Sequence, residues 1–124
     1  MEDREKERKR RFAHALLNLI AMEGMEDFKR AEACYEKAAE LLEEALGPDH
    51  PEVVMALAGL FYLYRTHRKY PQAEAVSERI ETILEKAEAT LSAEELIEEM
   101  ISFYRETGKE TKAQELARRF HIQT

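Results

Sequence analysis

Apolar side chains along this chain recur at helical rather than strand spacing. Leu57, Leu60, Phe61 and Tyr64 stand at i, i+3, i+4 and i+7, which places them on one side of a helix. Forty residues later Ile97, Met100, Ile101 and Tyr104 repeat the pattern position for position. Near the N-terminus, Ala15, Asn18, Leu19 and Met22 match without a gap. Leu16, Leu19 and Ile20 match with a one-residue deletion in the turn, which is preferred because it moves Asn18 off the core face. A second block follows each stripe. Phe28-Lys29-Arg30-Ala31-Glu32-Ala33 returns 42 residues on as Tyr70-Pro71-Gln72-Ala73-Glu74-Ala75, and 40 further on as Glu110-Thr111-Lys112-Ala113-Gln114-Glu115. The aromatic is lost in the third copy, but the small Ala31, Ala73 and Ala113 position persists, as close packing of paired helices requires.

Backbone punctuation divides these stripes into helices. Gly47 follows Leu46 where a left-handed C-terminal cap is wanted, and Pro48 forbids continuation. Asp49 and Glu52 bracket Pro51 in capping-box spacing, and Ser92 and Glu95 repeat that spacing before the third pair. Gly24 ends the first helix, Pro71 lies in the first turn of the fourth, and Gly108 separates the fifth from the sixth. The pattern predicts six helices near residues 3–24, 27–46, 51–67, 71–90, 93–107 and 110–121. They group as repeats near 12–48, 49–91 and 92–124 of a single domain, 1–124, with residues 1–11 as a charged helical lead-in.

Leu46-Gly47-Pro48-Asp49-His50-Pro51-Glu52-Val53, beside Tyr70-x-x-Ala73-Glu74-Ala75, resembles the long tetratricopeptide repeat of roughly 42 residues typified by kinesin light chains. The resemblance runs from about Phe12 to Phe120. The sequence departs from that pattern at Arg68, where a glycine is usual. The paired asparagines of the first helix shrink to Asn18, with Ala58 and Gly59 in the second repeat and Glu98 and Glu99 in the third. The resemblance implies an all-α fold, a right-handed α-solenoid of three antiparallel helix pairs. It also implies an extended concave surface, lined by the first helix of each pair, that binds a peptide or partner helix. Removing the core stripe leaves the groove face: Met55, Ala58, Tyr62, Arg65 and Thr66 in the second repeat, and Glu98, Ser102 and Arg105 in the third. Leu17 and Ala21, with His14 or Glu23, are the counterparts in the first. Tyr62 is the expected anchor, since a rigid aromatic contributes contact area for little lost entropy.

Composition narrows the chemistry. Hydrophobic residues make up 44% and charged residues 36%, with only 4 Gly and 3 Pro, which suits long helices and short turns rather than a β sandwich. The formal charge of −7 disfavours generic binding to nucleic acid. Lys9-Arg10-Arg11 is the only basic run, and Glu2, Asp3, Glu5 and Glu7 nearly neutralise it, so it reads as a solvated helical face. The charged N-terminus lacks the apolar core of a signal peptide, no apolar run is long enough to span a bilayer, and the single cysteine has no intramolecular partner. A reducing, cytoplasmic setting is expected.

Catalytic and metal-binding patterns are absent from the sequence. His14, His50, His67 and His121 include no i, i+4 pair and there is no Cys-x-x-Cys, so neither a metal nor another cofactor is expected. His50, in the linker, is expected to cap or pack the turn. Cys34 aligns with Val76 and Leu116 and reads as a small apolar packing position in mid-helix, rather than as an activated thiol. Glu94, Glu95, Glu98 and Glu99 lie near a helix start, where carboxylates favour water and the macrodipole. No phosphate-cradling glycine loop or Gly-x-Ser-x-Gly elbow occurs.

The sequence therefore points to a scaffold for protein or peptide partners rather than an enzyme. A structural, self-associating unit or a fragment of a longer array is the alternative, because Phe120 and Ile122 have no following helix to cover them. Arg65 and Arg105 occupy the same place in successive repeats and are expected to approach one groove wall. There they either grip an acidic side chain or terminal carboxylate, or settle into surface pairs, Arg65 with Glu23 and Arg105 with Glu106 or a neighbour.

Overall fold

The computed structural model describes residues 2–24, 26–87 and 93–123. Among them are six α-helices and no strand: α1 (Glu2–Glu23), α2 (Phe28–Leu46), α3 (Val53–Thr66), α4 (Tyr70–Ala87), α5 (Glu94–Glu106) and α6 (Glu110–Arg119). Each overlaps a helix predicted from the sequence. The expected end of the fourth helix, 88–90, and the Ser92 cap lie outside the described residues.

The chain divides into two compact units, Met1–Ala87 and Glu88–Thr124. The division adjoins the predicted junction of the second and third repeats. In the first unit α1 packs on α2, α2 on α3 and α3 on α4; in the second, α5 packs on α6. This neighbour-on-neighbour packing follows from the short connections, which return each helix against the one before it.

The cores form where the apolar spacing predicts. Leu57, Leu60, Phe61 and Tyr64 are buried in the first unit, joined by Leu42, Leu63, Ile80 and Ile83. Ile97, Met100, Ile101 and Tyr104 are buried in the second, with Phe103 and Leu116. Ala31, Ala73 and Ala113 retain at most 1% exposure, so each repeat keeps a small side chain at a fully enclosed site. In α1, Ala13 and Ile20 are buried and Asn18 is exposed, in agreement with the register containing the deletion. Leu19 departs from it, remaining 39% exposed. The expected apolar end at Phe120 is not there: Phe120 and Leu116 are both buried. Phe120 therefore gives no support to self-association through the C-terminal helix, whereas Ile122 remains partly exposed.

Helix ends show which punctuation acts as expected. Asp27 caps α2 by accepting from the Arg30 N–H at 3.2 Å. After α3, the Lys69 N–H bonds the Tyr64 carbonyl at 2.8 Å and the Arg68 N–H bonds the Arg65 carbonyl at 3.1 Å, the paired bonds of a Schellman cap. Lys109 and Gly108 do the same after α5. The cap needs a left-handed residue. Gly108 adopts φ +78°, whereas its counterpart Arg68 is held at +58° with a Cβ in the way. Arg68→Gly is therefore expected to raise stability by about 0.5–1 kcal/mol, visible as a higher urea midpoint at unchanged m-value. A lower midpoint would mean that the arginine side chain outweighs its backbone strain.

The capping box expected at Asp49 and Glu52 does not form. Glu52 is the N-cap of α3 but makes no side-chain capping bond, and its N–H is met by His50 Nδ1 at 3.0 Å. Asp49 pairs instead with Lys86 at 3.2 Å. The physical reason is competition: stronger cationic partners engage both carboxylates. His50 takes the turn-capping role expected of it.

Candidate functional site

The candidate surface of the first unit is built on α1 and α3. Met55, Ala58, Tyr62 and Arg65 fall at i, i+3, i+7 and i+10 of α3, on the side away from its core stripe. Met55 is 51% exposed; Ala58, Tyr62 and Arg65 are half-buried, and Thr66 is exposed. Tyr62 stands edge-on to buried Phe61, with ring centroids 5.5 Å apart, which limits its freedom to rotate. On α1, Leu17 is half-buried and Ala21 exposed, and His14 shares their side at i−3 from Leu17. Glu23 does not. It lies with Leu16 and Leu19 and pairs with Arg30 at 3.0 Å. The expected Glu23–Arg65 pair is therefore not formed; Arg30 in the next helix engages Glu23 instead.

Glu52 ties these two helices at one end. Arg10 Nε donates to its Oε1 at 2.8 Å, and His14 Nε2 lies 2.5 Å from the same oxygen. Partial burial acts to raise the Glu52 pKa, but hydrogen bonds from Arg10 and His14, with their charges, outweigh burial and hold the carboxyl below its ordinary value. Sequence reasoning missed this junction. Its partners are 42 and 38 residues apart in the chain, and no local pattern marks them.

Behind the α3 surface, a polar and aromatic cluster fixes α3 against α2. The Tyr64 hydroxyl donates to Glu32 Oε2 at 2.8 Å. Burial, followed by that hydrogen bond and the charges of Glu32 and Glu36, pushes the phenol far above its ordinary pKa, so it remains a donor. Phe28 packs T-shaped on His67 at 4.9 Å between ring centroids, and the Lys69 ammonium lies 5.0 Å from the Phe28 centroid. Phe28 thus serves the helix contact, as its place in the repeat implies.

In the second unit, Glu98, Ser102 and Arg105 share one side of α5 and line an open cleft of about 350 Å³ with Ile101, Ile122 and Gln123. Spacing on α5 foretold the first three; the other residues depend on the chain reversing after α6 at His121, whose φ is +57°. Arg105 Nε lies 3.3 Å from Glu110, so a neighbouring carboxylate holds it, although not Glu106. Glu94, Glu95, Glu98 and Glu99 are all exposed. Cys34 is half-buried, and among the described residues no three His, Cys, Asp or Glu side chains converge to hold a metal ion.

Antiparallel helix pairs with a persistent small residue at an enclosed site describe a helical repeat architecture. A family model described as the tetratricopeptide repeat matches residues 11–86. The chain belongs to the tetratricopeptide repeat family. No curated protein and no solved structure matches it. Tetratricopeptide repeats are interaction modules rather than catalysts, and their stacked helix pairs present surface in place of a fixed reactive constellation. The family match ends at Ile-Leu-Glu-Lys in α4; α5 and α6 lie beyond it and repeat the buried spacing of α3 40 residues on. Among the described residues, no helix of this tetratricopeptide protein is long and apolar enough to cross a membrane.

Proposed function

We propose that this tetratricopeptide chain is a scaffold that holds an extended peptide or a partner helix on the outer faces of its first helices. The observation that carries this reading is the state of α3. One side supplies the core, while Met55 at 51% exposure and half-buried Tyr62 stand together on the other. Large apolar groups on a rigid helix lose little entropy on binding, which suits them as anchors. Arg65, one turn beyond Tyr62, adds the capacity to grip a carboxylate in two-pronged fashion, and Arg105 offers the same beside the α5 cleft. The preferred ligand is thus an apolar side chain next to an acidic side chain or a terminal carboxylate.

A peptide-array screen on the parent, Tyr62→Ala and Arg65→Ala/Arg105→Ala decides the matter. Tyr62→Ala should weaken the selected binders about tenfold, equivalent to roughly 1.4 kcal/mol. The double arginine variant should lose the acidic preference while keeping the apolar one. Binders unaffected by Tyr62→Ala would rule out the α3 face, and binders without acidic preference would end the carboxylate grip.

A further inference from the structure

We propose that the start of α3 is a proton-responsive junction, in which His50 and His14 hold the backbone and the side chain of Glu52 with opposite protonation requirements. The Glu52 N–H donates to His50 Nδ1 at 3.0 Å. That bond needs a bare lone pair on Nδ1, so it exists only while the His50 ring is neutral with its proton on Nε2. The Glu52 carboxylate is an acceptor and lies 2.5 Å from His14 Nε2, which must therefore carry hydrogen. A second proton on the His14 ring turns that contact from a neutral hydrogen bond into an ion pair, the stronger of the two.

Histidine is the side chain that ordinarily changes charge between about pH 5 and 8, so acidification in that range acts on the two contacts in opposite senses. When His50 Nδ1 takes a proton from solvent, two N–H donors face each other and the hold on the Glu52 N–H is lost. When His14 takes one, the grip of α1 on the carboxylate tightens. Low pH thus transfers Glu52 from the α2–α3 linker to α1. Glu52 does not itself switch: partial burial opposes its charge, but hydrogen bonds from Arg10 and His14 keep its pKa below the ordinary carboxylate value. The other charged groups at the junction are engaged with one another, Lys86 of α4 with Asp49 beside His50, Lys9 with Glu44 of α2, and Glu7 with Arg10.

The place of the junction gives the switch a consequence. Glu52 comes three residues before Met55, and His14 three before Leu17, so the junction stands at one end of the candidate surface on both α1 and α3. None of residues 2–12 is buried, so charge contacts such as Lys9–Glu44 at 3.2 Å and Arg10–Glu52 at 2.8 Å seat this half of α1. The grip on Glu52 therefore sets how firmly α1 meets α3, whether or not that surface takes a peptide.

A nuclear magnetic resonance titration of the isotope-labelled protein, from about pH 8 down to about pH 5, tests the proposal. The Glu52 amide proton should move upfield in step with the His50 ring signals, and the Glu52 carboxyl carbon should move in step with those of His14. His50→Asn keeps a side-chain oxygen that accepts from the N–H two residues on but cannot titrate. In that variant the Glu52 amide should lose its pH response while the helical circular dichroism is unchanged. His14→Gln keeps a donor to the carboxylate without a titrating charge, so the carboxyl-carbon response should go and the amide response should stay. A Glu52 amide that ignores pH over this range, or that titrates equally in His50→Asn, overturns the proposal. A carboxyl carbon that titrates equally in His14→Gln overturns it as well.

Discussion

Ala73→Leu is expected to destabilise the first unit by about 1–3 kcal/mol, as overpacking of a filled core does. Ala73 has no accessible surface, and its counterparts Ala31 and Ala113 are equally enclosed. Leucine adds three carbons at a place where the helix backbone itself lies close. The added side chain can be accommodated only by moving α4 away from its neighbour or by leaving favoured rotamers. Propensity does not offset this, because leucine and alanine are both strong helix formers. A urea titration followed by circular dichroism should give a lower midpoint with the m-value unchanged. Gln72→Leu is the control: its site is exposed, so the same side chain one residue earlier should move the midpoint little. If Ala73→Leu unfolds at the parental midpoint, the repeat alignment that equates these alanines is wrong.

The fold was legible because burial follows period. Leu57, Leu60, Phe61 and Tyr64 announce one helix side by their spacing, and their copies 40 residues on do so independently. A repeat allows the same inference to be made twice. What stayed illegible has physical causes that differ from residue to residue. Leu19 belongs to the stripe yet is exposed, because burial needs a covering helix as well as an apolar residue. Phe120 suggested an uncovered end but is buried; chain order alone does not reveal which apolar side chains a fold encloses. Asp49 and Glu52 have capping-box spacing, but Lys86, Arg10 and His14 engage their carboxylates from other helices. Local motifs describe what a residue can do, and long-range partners decide what it does.

The candidate surface was read less directly than the core, since it was found by subtraction. In the structure Met55 is exposed, and Glu98, Ser102 and Arg105 line one cleft. It placed Glu23 beside Arg65 only because repeat equivalence was treated as spatial equivalence. In the structure Glu23 meets Arg30, a residue with no place in the stripe argument. Charged side chains are long enough to choose among several partners, whereas buried aliphatic groups are confined by the helix period. That difference explains why apolar positions transfer between repeats and ion pairs do not.

Gly59→Ala is expected to destabilise the protein although a helix interior normally gains from that exchange. Gly59 lies within α3, where alanine is favoured over glycine by about 1 kcal/mol on propensity alone. A Cβ at this position would stand 2.5 Å from Cδ1 and 2.6 Å from Cζ of Tyr35, deep inside van der Waals contact. Tyr35 comes from α2, is only 8% exposed, and has little room to withdraw its ring. Overpacking of about 1–3 kcal/mol then offsets or exceeds the propensity gain, so a net loss of up to about 2 kcal/mol is expected. The glycine thus sets how closely α3 approaches α2, which explains why it stands where the resembling repeats carry a polar side chain. Tyr35→Leu, which removes the ring, supplies the decisive comparison. In the Tyr35→Leu background Gly59→Ala should turn neutral or stabilising, giving a coupling energy above about 1 kcal/mol in a double-mutant cycle. Equal effects of Gly59→Ala with and without the ring would show that Tyr35 does not set the helix spacing.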